Sequence, residues 1–566
     1  MNILSATGWN LLTGRLRIGK EGTTMSKENG NTLVRNASFL MMATLISRVI
    51  GLLYKSPLST VVGNVGMGYF GYANNVYVIL LLVSSYSIPM AVSKVISERL
   101  ALKQFRNAQK VFHGALIYAS VVGGAAALVA LFLGKYLLPV NQQEALLALR
   151  MLAPTIFLSA ILGVFRGFFQ AHNTMLPTSM SQIIEQIAHA IVSVGAAWLL
   201  IRSFGTDDTS KAIYGAAGGT LGTGAGVAVG LLFMIVVYAM NRKAILKKVK
   251  KDKHEREESM GSVLKLIFMM VTPIIFNTFV YNASSYLDSK IFSDILALKK
   301  MNSAAVSGQW GEYSNYYISM INIPLALSSA TSSAMMPEIS SRYITKDYEG
   351  ANRKINEGVQ LTMFLCIPAA VGLSVLAFPI MKLLFPKSSD LSGMLLAIGS
   401  VSVIFSALST ITNGVLQAIG QAKIPLRNSA ISLVLNVITV TLGSYFAPQF
   451  GVFIVLLASI VFAVCMCVLN ALSLKKYLGH KNDFVNGYGK PLLASVGMGL
   501  VAWIVYYGMY IFVPIKILCL GVSVILAVLV YMILYVIVTK ATKEQMRKLP
   551  MGNYMVKVLG KLHLLK

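Results

Sequence analysis

The run IYGAAGGTLGTGAGVAVGLLFMIVVYAM, residues 213–240, contains not one charged side chain. About 20 mostly apolar residues suffice to cross the hydrocarbon core of a bilayer as a helix. The stretch is therefore a membrane span. Directly after it comes NRKAILKKVKKDKHERE, residues 241–257, the densest cluster of basic residues in the chain. An apolar run closed by lysines and arginines is how a span meets the cytoplasmic surface. Within the span, Gly218, Gly222, Gly226 and Gly230 recur every four residues, a small-residue face that lets two helices approach closely.

Reading outward with the same ruler finds fourteen spans. The first is expected at 34–56, the second at 70–93, the fifth at 178–201, the seventh at 263–292 and the eighth at 311–338. The composition agrees. Of 566 residues, 56% are hydrophobic and only 12% charged, about half the charged share of a soluble domain. That excludes a string of soluble domains and a disordered chain. Residues 1–24 have no apolar core and read as an unstructured tail or upstream start, not a cleavable signal.

The net charge is +28, from 49 Lys and Arg against 21 Asp and Glu. Such an excess can mark a nucleic-acid binder, so position decides. With the N-terminus placed in the cytoplasm, thirty-seven of the basic residues fall on the cytoplasmic side. Eleven fall outside, and Arg48 lies within a span. The basic residues follow membrane sidedness. No nucleic-acid partner is expected, and both termini are expected in the cytoplasm.

GVFRGFFQA at 163–171 resembles GVLQAIGQA at 414–422, and Pro89 and Pro177 find counterparts in Pro337 and Pro425. Ser93-Lys94 likewise meets Ser341-Arg342. The offset spans an even number of crossings, so the halves share one orientation, a parallel repeat. The expected fold is an all-α integral membrane protein of 14 transmembrane helices: two six-helix lobes plus two C-terminal helices. The expected organisation is a tail at 1–33, an N-lobe at 34–241, a charged linker at 242–262, long enough to let the lobes move, a C-lobe at 263–474, the last two spans within 475–540, and a tail at 541–566.

Ionisable residues inside spans normally face protein or a wet cavity, because lipid exposure is costly. Arg48 lies mid-span in the first helix, and Lys55 follows two turns later on nearly the same face. Gln182, Glu185, Gln186 and His189 share one face of the fifth span, where Glu185 is within reach of Arg166 on the preceding helix. Asn277, Tyr281, Ser284, Ser285 and Asp288 line the seventh, and Asn74, Asn75 and Tyr77 the second. These polar faces suit a sugar-binding cavity or contacts between helices. The candidate cavity set is Arg48, Lys55, Asn74, Lys94, Arg166, Gln182, Glu185 and Asp288. The sequence has no GxxxxGK[ST], HExxH or GxSxG pattern, so an ATP motor or a hydrolase is not expected. Cys366, Cys465, Cys467 and Cys519 all lie in apolar runs. Neither a metal, a cofactor nor a disulfide is expected.

SRVIGLLYKSPLSTVVG (47–63), SIPMAVSKVISERLA (87–101) and APTIFLSAILGVFRGFFQAHNTMLPTSMSQIIEQI (153–187) resemble the polysaccharide transporter branch of the multidrug/oligosaccharidyl-lipid/polysaccharide exporter superfamily. The resemblance covers roughly 31–540 and is strongest to stage V sporulation protein B and YtgP-like members, of MurJ type. It implies a V-shaped, two-lobed bundle with a cationic central cavity in a bacterial plasma membrane, working by alternating access. The implied substrate is lipid II, or another undecaprenyl-linked glycan such as a teichoic acid or capsule unit. A cation-coupled drug exporter is the more distant alternative, and a membrane scaffold without transport a further one. Membrane lipids and cell-wall synthesis proteins are the implied partners. Gram-negative members carry an Arg-Asp pair where this chain has Tyr54-Lys55, so the charge arrangement differs there.

The sidedness has a direct test. A cysteine introduced next to Asp208 should react with an impermeant thiol reagent on intact cells, and one next to Lys250 should not. The opposite labelling pattern would invert the topology.

Overall fold

A peptide group inside a bilayer finds no water, so the chain satisfies its hydrogen bonds within helices. The computed structural model describes residues 43–539, apart from 45, 251, 253–256 and 481–482 and the side chains of 273, 274, 276, 277 and 281. Among the described residues there are helices and no strand. The expected tails, most of the first span, and the Asn277 and Tyr281 side chains lie outside them. The helices fall into two compact units that divide at Gly311/Glu312.

The first unit begins with α1 (46–53) and α2 (Lys55–Ser84). Tyr54 N–H donates to Ile50 and Leu58 N–H to Tyr54, so helical bonding passes through the junction. The rod ends at Gly63, whose φ of 76° is open to glycine and costly for other residues. A second rod then runs to Ser84. The chain breaks at Ser85–Ser87 and restarts as α3 (Ile88–Ala101), with Pro89 in its first turn, where a missing N–H costs nothing. The expected span at 70–93 is thus displaced and broken. Then follow α4 (Phe105–Phe132), α5 (Leu146–Ala171), α6 (Leu176–Phe204), α7 (Asp208–Lys250), α8 (Met260–Leu298) and α9 (Ser303–Gly311).

The second unit holds α10 (Ile318–Ile344), α11 (Tyr348–Val375), α12 (Ala377–Leu384), α13 (Asp390–Gly399), α14 (Ser402–Ala418), α15 (Lys423–Phe446), α16 (Phe453–Leu478), α17 (Lys490–Phe512) and α18 (Lys516–Thr539). α17 and α18 pack on α11 through Phe364, Met498, Tyr531 and Tyr535, and the Tyr531 hydroxyl donates to the Phe364 carbonyl at 2.9 Å. Pro324 and Pro337 sit inside α10, which a π-helical turn at Glu312–Tyr317 precedes.

Among the described residues ten helices are long and apolar enough to cross a membrane, or eleven if α13 and α14, bent by 48°, form one span. The protein is therefore a multi-pass, all-helical membrane protein, and the expected fourteen is not reached on this criterion. Lys55–Ala101 counts once despite its break. α10, with Ser328, Ser329, Thr331, Ser332, Ser333 and Glu338, is not among the ten.

Two expectations about the middle of the chain change. The basic cluster is not a loop: α7 stays helical through Lys250. Asp252 then accepts from the Arg106 N–H at 2.8 Å at the start of α4. Glu257 pairs with Arg106 at 3.1 Å and Lys110 at 3.2 Å, and Glu258 with Arg99 at 2.7 Å. Lys110 and then Arg106 hold the Glu257 carboxyl below the usual carboxylate range, so the contribution of the Glu257 contacts is present above that range and is lost as pH falls through the lowered value. The linker is fastened to the first unit, not slack. α8 also belongs there, although the repeat assigns it to the second half. Its Ser293 hydroxyl shares a 2.5 Å hydrogen bond with Tyr72, Asn75 donates to the Ser285 carbonyl at 3.1 Å, and Tyr286 donates to the Leu137 carbonyl at 2.9 Å.

The glycine face on α7 does what its spacing predicts. A Cβ on Gly222 would overlap Ser193, and one on Gly226 would stand 2.6 Å from the Glu185 carbonyl oxygen. Ser193 donates across the contact to the Gly219 carbonyl at 2.8 Å. Gly226→Leu should therefore destabilise the protein by about 1–3 kcal/mol, read as a lower melting temperature in detergent. Gly195→Ala, inside α6 with nothing within 4 Å of a new Cβ, should hold or slightly raise the melting temperature.

Candidate functional site

The polar residues of the first unit converge on one seam formed by α1, α2, α5, α6 and α7. Arg166 on α5 donates through Nε to the Ser181 hydroxyl at 3.0 Å and through Nη2 to Glu185 Oε2 at 2.6 Å. Both charged side chains are about one-fifth exposed. This is the expected hairpin fastener. Glu185 and His189 also lie where α6 meets the glycine face of α7, because Gly226 and Gly230 leave room for them.

One turn further along α6, His189 forms a second knot. Its Nε2 is 3.2 Å from the Thr223 hydroxyl of α7, and its ring lies 4.7 Å from that of Tyr54. Lys55 is within electrostatic range of His189, and Tyr86 of Arg48. Gln186 reaches the backbone of α1 at Gly51.

The candidates divide by exposure. Arg48 and Lys94 are exposed, Lys55, Asn74, Arg166, Gln182 and Glu185 are half-buried, and Asp288 is buried. Among the described residues Lys94 makes no ion pair. Its repeat counterpart Arg342 is neutralised by Asp347 at 2.8 Å and Glu338 at 3.1 Å. In the second span Asn75, not Asn74, makes the bond to α8. Asp288 lies on α8 but is not joined by any described contact to the Arg166–Glu185 pair.

Two buried clusters in the second unit escaped sequence reasoning. Asn428 of α15 donates to Asn470 of α16 at 2.8 Å, and Asn470 donates to Asn413 at 2.8 Å and to Thr412 at 3.0 Å on α14. Asn428, Ser432, Asn436 and Ser444 are all fully buried. The four-residue spacing of Asn428, Ser432 and Asn436, with Ser444 two steps on, was a visible signal, but neutral polar residues in apolar runs stand out less than charges. The other cluster is Glu312, 3% exposed. It accepts from the Ser389 N–H at 3.2 Å and the Ser392 hydroxyl at 2.5 Å, at the N-terminus of α13. Among the described residues no group of His, Cys, Asp and Glu could hold a metal.

The first unit thus gathers its ionisable and polar side chains between helices, as intramembrane polar groups require. Among solved structures, a lipid II flippase MurJ in an inward closed conformation superposes with a TM-score of 0.64 at 17% identity, covering 88% of this chain and 97% of its own. An outward-facing multidrug transporter of the MATE family, within the MOP superfamily, gives 0.56 at 15% identity, covering 81% and 99%. The fold is that of the MOP superfamily. The sequence narrows it: residues 103–525 match the family described as lipid II flippase MurJ, and the chain belongs to that family. Among curated relatives, the lipid II flippase MurJ of Bacillus subtilis is 26% identical over 423 residues, 72% of this chain and 75% of its own. The stage V sporulation protein B of the same organism is 22% identical over 459 residues, 79% and 84%.

A structural part for the Arg166–Glu185 pair can be told apart from a part in transport. Glu185→Ala leaves a half-buried guanidinium without its carboxylate, which costs about 1–3 kcal/mol, so abundance and melting temperature should fall. Exchanging the two residues, Arg166→Glu with Glu185→Arg, should restore both. Normal abundance with lost transport in the exchanged protein would assign the pair a direct part in transport.

Proposed function

We propose that this chain carries lipid II, an undecaprenyl-diphosphate-linked peptidoglycan precursor, from the inner to the outer leaflet of a bacterial plasma membrane by alternating access. The supporting observation is the match to the MurJ family over residues 103–525. A diphosphate and its glycan cannot cross hydrocarbon unaided. In this reading Arg48, Lys55 and Lys94 supply charge-assisted hydrogen bonds to the diphosphate. Asn74 and Gln182 offer hydrogen bonds to the glycan. Arg166 and Glu185 hold the seam in shape, and Asp288 lines the cavity on α8. The chemistry is translocation without bond making or breaking.

In this reading the anion moves from the inner to the outer leaflet. An inside-negative potential favours that direction by about 2.3 kcal/mol per charge per 100 mV. Net export then needs no nucleotide hydrolysis, in keeping with a sequence that has no phosphate-binding loop.

Arg48 is the sharpest test. A guanidinium grips a diphosphate with a planar fork of donors, whereas an ammonium acts as a point charge. Arg48→Ala and Arg48→Gln should give normally inserted, normally stable protein that no longer brings lipid II within reach of an external enzyme in depleted cells. Arg48→Lys should keep part of the activity. Variants that lose stability in step with activity would assign Arg48 a structural role, and full activity in Arg48→Ala would remove it from the cavity.

A further inference from the structure

The 43 residues of α7 extend about 65 Å, twice the hydrocarbon thickness, and one face of the helix is exposed along its later half. Successive residues turn by about 100°. Leu232, Ile235, Val236, Ala239 and Met240 are exposed and fall within an arc of about 160° by that rotation. Arg242, Lys243, Leu246, Lys247 and Lys250 are also exposed, and the same rotation places them in the same arc. The opposite arc carries Val237, Asn241 and Ile245, all buried, and Lys248, whose ammonium sits 5.5 Å above the Phe105 ring. The stripe that meets acyl chains in the span thus runs on, without changing face, into four cations and one exposed leucine.

The described carboxylates that follow α7 in the chain are turned to other partners. Asp252, Glu257 and Glu258 are engaged with Arg106, Lys110 and Arg99 on α3 and α4. Among the described residues no ion pair involves Arg242, Lys243, Lys247 or Lys250. We propose that the Arg242–Lys250 face of α7 is a docking surface for anionic phospholipid headgroups of the leaflet at that end. Charge complementarity selects an anion, and continuity with the lipid-facing stripe selects a lipid over a cytosolic protein. Each surface cation contributes about 1 kcal/mol of attraction to an anionic leaflet, and Leu246 can rest among the glycerol backbones. The linker clasp has a part in this: by holding the acidic residues against α3 and α4, it leaves the basic face open to lipid. The proposal is independent of which glycan the protein carries.

The test is local crosslinking in the full-length protein. A photoreactive benzoylphenylalanine replaces Leu246, or Leu232 as a reference on the same face inside the span. Each protein is reconstituted in vesicles of equal phosphatidylglycerol and phosphatidylcholine, and lipid adducts are counted by mass spectrometry. At position 246 phosphatidylglycerol adducts should exceed phosphatidylcholine adducts severalfold, and by more than at position 232. Combining Arg242→Gln, Lys243→Gln, Lys247→Gln and Lys250→Gln should bring the ratio to parity, with an unchanged melting temperature. Neutralising Lys475 and Lys476, two exposed lysines on α16, should leave it intact. Parity in the native sequence, a preference that survives the four substitutions, or an equal loss from the Lys475/Lys476 control would each overturn the proposal.

Discussion

The absence of water around a peptide group in hydrocarbon is the constraint on which this architecture rests. It makes the backbone helical, and it obliges each polar side chain within a span to find its partner inside the protein. The seam of the first unit is the outcome. Arg166 is held by Ser181 and Glu185, and His189 by Thr223 and the Tyr54 ring. Each contact joins two helices, so satisfying the polar groups also fixes how the helices sit. The glycines of α7 are part of the same solution: only a face without Cβ atoms lets α6 bring Glu185, His189 and Ser193 so close.

The two units meet this constraint with different chemistry. The first uses a charged pair. The second uses neutral amides, Asn428, Asn470 and Asn413, chained through α14, α15 and α16. The repeat that relates the halves is visible in motifs such as GVFRGFFQA and GVLQAIGQA, yet its polar content has diverged. Lys94 is without an ion pair where Arg342 is clasped by two carboxylates. The two matched positions therefore differ in how their charge is balanced.

The middle of the chain shows how little the boundary of a repeat says about packing. By the repeat, the second half starts at α8. By hydrogen bonding, α8 belongs to the first unit, tied along its length to Tyr72, Asn75 and Leu137. The acidic end of the linker adds a further tie through Glu257 and Glu258. A segment that reads as a charged tether is instead half helix and half clasp.

The sequence by itself determined the class of fold, because an uncharged run such as 213–240 has few alternatives to a membrane helix. It determined the glycine face of α7 and the Arg166–Glu185 pair, because both are consequences of spacing along neighbouring helices joined by a short loop. The family was legible in residues 47–63, 87–101 and 153–187. What only the tertiary structure decided were contacts between segments far apart in sequence. Tyr54 beside His189, Asn428 beside Asn470 and Glu257 against Lys110 depend on which helices become neighbours. The break at Gly63 and the displaced second span belong here too. A glycine in an apolar run permits a positive φ but does not require one, and the packing around α2 chose it.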